Sequence, residues 1–421
     1  MGDKISRYIS LGAGVILFAL FCALMGYSIA DKKTALYFRL QEIRHIVGSL
    51  ISYGEVIGEG LRVPAPAGAA RDPATLRNPD QAMGEGYYAI MAWDGARSAY
   101  SIFLRDAAGT LVHTWPIDEK AMSDKAEHYS NAPHAMEALP DGSVVMSFDH
   151  LGLMARLDAC GAPIWQREGY FHHSFSPSVD GGLWTWYGAQ SGYGQLQDIL
   201  KFDPLTGKDI TRLSLRDDVI LRTPDSAALF SMHPDFPFTP DDQNPRDIFH
   251  PNDVEELLPE RAAAFPRFKA GDLMLSIREL DMVAVIDPTG VVKWLRQGPW
   301  LKQHDPDFEA DGTITVYDNA RGRPRSMLMA VNPETGHVTN ALPQFDGAFK
   351  SAYRGKHQRL PNGNTLLTIP EQGQALEIAP DGTVALEFNN VAQGFPEMND
   401  DLVNAKWLPA DFFESLPACS D

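Results

Sequence analysis

One phrase recurs six times along the chain and restricts its fold more than any other feature. It is an alternating strand, a turn built on Asp or Asn plus Gly, and a return strand: FLRDAAGTLVHTW, ARLDACGAPIWQ, LKFDPLTGKDI, AVIDPTGVVKWL, AVNPETGHVTN and EIAPDGTVALEF. A second phrase, an apolar strand entered through an Asp-Gly or Asn-Gly turn, precedes most copies: LPDGSVVMSF, SVDGGLWTWY, EADGTITVYD and LPNGNTLLTI. Such turns between alternating strands signal hairpins, because only residues that tolerate positive φ fit them. Each pair of phrases predicts four antiparallel strands, and six units of about 40–55 residues predict an all-β fold, a six-bladed β-propeller spanning residues 86–395. A two-sheet sandwich does not predict the two phrases to alternate in this order.

Ahead of the repeats, the run from Tyr8 to Ala30 carries no charge, and about 20 apolar residues suffice to cross a bilayer. Residues 1–33 are therefore expected to form an N-terminal transmembrane helix. A cleaved signal peptide is the alternative, since Ser28-Ile29-Ala30 resembles a small-x-small cleavage site. Basic residues flank the run on both sides, so charge leaves its orientation open. Residues 34–85 are expected to form a short amphipathic helix, with Leu36, Leu40, Ile43, Ile46, Val47 and Leu50 near helical spacing. A Pro/Ala-rich linker or strapped-down arm follows it. Residues 396–421 are read as a C-terminal tail. The stretch Leu213–Asp247 is dense in Pro and Asp and is expected to be an inserted loop.

The formal net charge of −19 excludes nucleic acid as a partner, since a binder needs a basic face to displace counterions from phosphates. An anionic substrate must instead meet a local cationic pocket. Three cysteines, Cys22, Cys160 and Cys419, exclude a disulfide framework. They leave room for one bridge between Cys160 and Cys419 without demanding it.

Most units open with a histidine just ahead of the first strand: His134, His172 with His173, His250, His304 and His357. The innermost strands of a propeller begin at equivalent places around its axis, so these residues are expected to converge on one mouth of the channel. Singly, each suits a structural histidine bonded to the next blade; as a ring, they predict a site. Imidazole is a common metal ligand, but no HExxH motif or carboxylate-rich ligand set accompanies them, and no metal is assigned. Arg278, in SIRELD, follows His250 and Asn252, and a guanidinium fork matches a tetrahedral oxyanion. Histidine with arginine suits a sulfuryl or phosphoryl group. No GxxxxGK[ST] loop occurs, so there is no P-loop for a nucleotide donor. Tyr170, Phe171, Trp184 and Trp186 fit either the core or an aryl pocket.

HPNDVEEL, SIRELDMVAVIDPTGVVKW, QHDPDFEADGTITVYDNARGR and QRLPNGNTLL, in this order, together resemble the arylsulfate sulfotransferase family, propeller enzymes that move sulfate between phenols without a nucleotide sulfate donor. The resemblance runs from about Gly86 to Asn390 and implies no cofactor. It implies that His304 is the sulfated nucleophile of a ping-pong cycle and that His250 is the general acid–base. It also implies that Asn252 and Arg278 hold the sulfuryl oxygens, helped by His173, with His172 as the fallback. His357 is at most a substrate contact, and His134 is read as structural. The partners implied are an aryl sulfate donor and a hydroxyl acceptor. A single-pass inner-membrane location is expected, with the propeller in the periplasm and a possible membrane-protein partner. Two rival readings are a noncatalytic binding scaffold of a membrane assembly and a metal-dependent hydrolase.

Overall fold

The computed structural model of the 421-residue chain describes Cys22 and residues 62–123, 132–148, 151–188, 196–230 and 248–419. The expected transmembrane and amphipathic helices lie outside these residues, Cys22 excepted. Among the described residues no helix is long and apolar enough to cross a membrane. Contacts divide the chain into two units, 1–59 and 60–421, and all six blades belong to the second.

The repeated phrases form six sheets of four antiparallel strands, as the turn chemistry requires. Blade 2 runs Ala135–Ala138, Val144–Phe148, Leu153–Leu157, Pro163–Glu168, from the innermost strand outward. Blade 3 begins with Tyr170–Pro177, blade 4 with Pro251–Glu256, blade 5 with His304–Phe308 and blade 6 with Lys356–Arg359. Apolar residues fill the spaces between neighbouring sheets. Met91, Ile102 and Trp115 of blade 1 meet Met146, Phe148 and Leu157 of blade 2 in one cluster, and Met274 and Val283 of blade 4 meet Phe308 and Val316 of blade 5 in another. Trp115, Trp186 and Trp300 are fully buried, each contributing about 2–3 kcal/mol by leaving water.

Closure departs from the expected boundaries. The innermost strand of blade 1 is Leu402–Leu408, from the stretch read as a tail, and it pairs with Tyr87–Asp94 in a register that sets Trp407 against Tyr88. The presumed linker is also part of the fold. Ala74–Leu76 adds a fifth, outer strand to blade 6, and Val63–Pro64 pairs with Met398–Asn399. Arg77 and Arg62 fasten this arm through ion pairs to Glu387 (2.7 Å) and Asp400 (2.9 Å). The unit thus begins at Gly60 and runs to Asp421, not 86–395. Strands of two or three residues are too short to show a period, and the closing strand has no hairpin turn to announce it. The expected loop at Leu213–Asp247 begins as packed structure: one turn of π-helix, Leu215–Ile220, and α1, Pro224–Leu229, capped by Thr223, bury Leu215, Val219, Ile220 and Phe230. Residues 231–247 lie outside the described chain.

Candidate active site

The inner strands of blades 3, 4 and 5 share a distortion. Each slips register at its histidine, between His172 and Ser176, between Pro251 and Asp253, and between His304 and Asp307. His173, His250 and Asp305 there take φ of 68°, 44° and 49°, a left-handed backbone that costs free energy in a non-glycine residue. Bulges of this kind re-aim side chains. Here they bring the imidazoles together: the His173 ring centroid lies 4.8 Å from that of His134, 5.0 Å from His250 and 6.1 Å from His304.

His304 has a defined tautomer. Asn319, at the end of the second strand of blade 5, donates from Nδ2 to the carbonyls of Ser351 (2.9 Å) and Arg354 (2.6 Å), which fixes its amide orientation. Its Oδ1 therefore faces His304 Nδ1 at 2.7 Å, and the Lys302 carbonyl lies 3.2 Å from the same nitrogen. Both neighbours are acceptors, so Nδ1 carries the hydrogen and Nε2 keeps its lone pair. Burial, and then the Arg278 charge, pull the imidazole down to a pKa of about 3. His304 is a neutral base throughout the physiological range.

Arg278 donates from Nη1 to His250 Nε2 at 2.9 Å. Its Nε and Nη2 engage Glu279 at 3.1 and 2.8 Å, and Lys302 holds the other Glu279 oxygen at 2.9 Å. Burial pushes the Glu279 carboxyl up, but Arg278 and Lys302 hold it below its usual range. Burial, followed by the Arg278 charge, keeps His250 far below an ordinary imidazole. His173 is also held neutral, by burial and then by His134, His172, His250 and His304 around it. Asn252 is buried, donates to the Gln303 carbonyl at 2.7 Å and leaves its Oδ1 without a donor.

His172, the fallback for His173, lies fully buried with Nδ1 2.8 Å from His173 Nδ1 and Nε2 2.8 Å from Gln197 Oε1. It orients His173 instead of facing the mouth. His134, read as structural, stacks within the group. His357, read as a substrate contact, does not join it: its side chain is fully enclosed, with Nδ1 2.9 Å from Asp305 and Nε2 2.7 Å from Thr315 Oγ1. Phe171 and Trp186 are fully buried core, and Trp184 is buried and donates to Glu256 at 2.7 Å, so these three belong to the packing between strands and not to an aryl pocket, while Tyr170 is half-buried. Sequence reasoning misses Asn319, although it closes the stretch that follows His304. The only signal for it is the length of the hairpin, which returns the chain beside His304.

Beneath the histidines, Lys356 reaches Asp305 at 2.7 Å and Asp253 at 3.2 Å, joining blades 4, 5 and 6. Burial raises the Asp305 carboxyl, but Lys356 and His357 outweigh it and hold Asp305 low, whereas burial and the surrounding carboxylates raise Asp307. Asp305, Asp307 and His357 bring three metal-ligating atoms within 4.8 Å of one another. The ammonium of Lys356 and the backbone N–H and ring of His357 already bond Asp305.

Residues 135–391, more than half of the chain, match the family described as Arylsulfotransferase (ASST). The chain belongs to the arylsulfotransferase family. No curated protein matches this chain. Solved structures resemble it distantly. A protein of unknown function from Bacteroides caccae shares 12% identity over 76% of this chain and 98% of its own, with a TM-score of 0.49. TolB from Acinetobacter baumannii shares 13% over 77% and 68%, with a TM-score of 0.46. Virginiamycin B lyase from Staphylococcus aureus shares 10% over 75% and 87%, with a TM-score of 0.39. Likenesses at this level carry no functional information.

Proposed function

We propose that this member of the arylsulfotransferase family moves a sulfuryl group from an aryl sulfate to a hydroxyl acceptor through a sulfohistidine at His304. The observation that carries this reading is the Asn319–His304 bond, which leaves an unprotonated Nε2 in a site that also holds Arg278. In the first half-reaction the Nε2 lone pair forms a bond to sulfur, the sulfur–aryl oxygen bond breaks, and the phenolate leaves with the electron pair. Because Nδ1 keeps its hydrogen, the product is an N-sulfuryl imidazolium, whose cationic ring leaves readily. In the second half-reaction Arg278 Nη1 turns from His250 Nε2 to the sulfuryl oxygens, the acceptor oxygen attacks sulfur, its proton passes to the freed Nε2 of neutral His250, and the electron pair of the nitrogen–sulfur bond returns to His304 Nε2. Protonated His250 then supplies the proton when the leaving group is poor. Donors with acidic phenols are therefore preferred.

Arg278, Asn252 and His173 would hold the sulfuryl oxygens. Transfer of this type is expected to be loose, by analogy with phosphoryl transfer, so positioning and charge stabilisation supply most of the acceleration. The uncharged run Tyr8–Ala30 supports anchoring in a membrane, and the side, with the propeller in the periplasm of an inner-membrane protein, is taken from the family resemblance and not from the flanking charge. That location is tested by carbonate extraction and by protease access in spheroplasts; release by carbonate or protection from protease would overturn it.

The reaction is tested by brief mixing with 4-nitrophenyl sulfate and peptide mass spectrometry. The expected result is a sulfuryl adduct on the His304 peptide that is absent in His304→Ala. Absence of the adduct from folded protein across several aryl sulfates would overturn the reading and favour a binding scaffold.

A further inference from the structure

The polypeptide beyond the closing strand does not hang free. Phe413 packs 5.9 Å from Tyr87 and 6.2 Å from Trp115, centroid to centroid. Glu414 N–H donates to the Pro140 carbonyl at 2.8 Å, and Pro417 lies against Gly142 in the first turn of blade 2. The chain then reaches the outer hairpin of the same blade. There Asp158 Oδ1 accepts from the N–H groups of Cys160 (2.8 Å) and Ala162 (2.9 Å) and fixes the turn that carries Cys160. Cys419 Sγ donates to the carbonyl of Ala159, the residue before Cys160, at 3.3 Å. Both thiols are exposed and free.

We infer that Cys160 and Cys419 are a disulfide pair that fastens the ring-closing C-terminal segment covalently to blade 2. The two residues are far apart in sequence, and the structure brings the Cys419 thiol to the exposed turn that carries Cys160, 3.3 Å from the carbonyl of the preceding residue. The tail between Leu408 and Cys419 is already aligned by Phe413, Glu414 and Pro417, so little further ordering is needed for the bond to form. The function would be mechanical. Blade 1 takes its innermost strand from the C-terminus, so the ring opens if that strand peels away, and a bond from Cys419 to blade 2 blocks the peeling. The loop closed is roughly 260 residues, the regime in which a crosslink restricts the unfolded chain most.

The oxidant required is a disulfide, either oxidised glutathione or a thiol–disulfide oxidoreductase. One cysteine thiolate attacks it and expels one thiolate. The second cysteine then attacks the mixed disulfide and expels the other, so that two cysteine thiols become one disulfide and one oxidant disulfide becomes two thiols. The Cys419 thiol, which donates to the Ala159 carbonyl, is pushed up to about 11 chiefly by the neighbouring Cys160, so it attacks as the minor thiolate fraction at neutral pH.

The test uses the full chain, incubated with oxidised or reduced glutathione and then alkylated. The expected result after oxidation is a tryptic species joining the Cys160 and Cys419 peptides, with Cys22 still alkylated. A rise in melting temperature of roughly 5–10 °C relative to the reduced protein should accompany it. Cys419→Ser should lose both effects while forming the His304 adduct at the wild-type rate, which separates this pairing from the catalytic reading. Alkylation of both Cys160 and Cys419 after oxidation would overturn the inference, as would Cys160 joined to Cys22 or to a second chain. A link without any change in melting would overturn the mechanical role.

Discussion

Lowering the pH from about 8 to about 5 should leave the rate of His304 sulfuration by 4-nitrophenyl sulfate unchanged within about twofold. The perturbation isolates the nucleophile. An imidazole attacks only as the free base, and 4-nitrophenol is acidic enough to leave as its anion without a proton from His250. With its pKa drawn to about 3 by burial and by Arg278, His304 remains roughly 99% free base at about pH 5. An ordinary imidazole titrating near 6.5 would be only about 3% free base there, a loss of roughly 30-fold. The sign follows from the direction of the shift: a depressed pKa moves protonation, and the loss of activity with it, to lower pH. The assay is single-turnover quench flow, reading nitrophenol release and the His304 adduct together, with a circular-dichroism control for folding at each pH. A rate that falls with an apparent pKa between about 6 and 7 would refute the argument, because the ring would then be solvated, and burial and the Arg278 charge would not govern its protonation.

Two further outcomes follow from the polar network. Asn319→Ala should slow adduct formation by about 100-fold or more, since a nucleophilic histidine released from its orienting partner samples the wrong tautomer. It should also cost about 1–3 kcal/mol of stability in urea, as the Arg354 carbonyl loses its donor; a wild-type single-turnover rate would contradict the tautomer assignment. Lys356→Met leaves Asp253 and Asp305 without their shared cation and should destabilise the domain by about 3–5 kcal/mol. Adding Asp305→Asn should restore part of that loss, and a null effect of Lys356→Met on the urea midpoint would show that the pair is not coupled.

The architecture was largely legible in the sequence, because a hairpin is a local object. LPDGSVVMSF or AVIDPTGVVKWL carries its turn, its alternation and its partner strand within about a dozen residues, and six copies leave few folds open. The positions of His250, Asn252, Arg278 and His304 were legible too, since they sit in ordered motifs at the starts and ends of those strands. The same periodicity led to the expectation that the histidines converge, and His134, His173, His250 and His304 do lie together while His357 does not. His134 precedes the inner strand of blade 2 and packs on His173, whereas His357 is the second residue of the inner strand of blade 6 and is enclosed by Asp305 and Thr315.

The sequence alone determined what depends on neighbours in the chain: six four-stranded units, their turns, and the histidines that open them. Tertiary structure decided what depends on partners far away. Leu402–Leu408 became the inner strand of the first blade because Tyr87–Asp94 offered an unpaired edge, and the short arm at Ala74–Leu76 found its edge on blade 6. The Asn319 amide that leaves His304 Nε2 bare is likewise oriented from outside its own hairpin, by the carbonyls of Ser351 and Arg354. The physical reason is that backbone turn preferences act over a few residues, whereas the hydrogen-bond partner that sets a side chain's tautomer is chosen by packing.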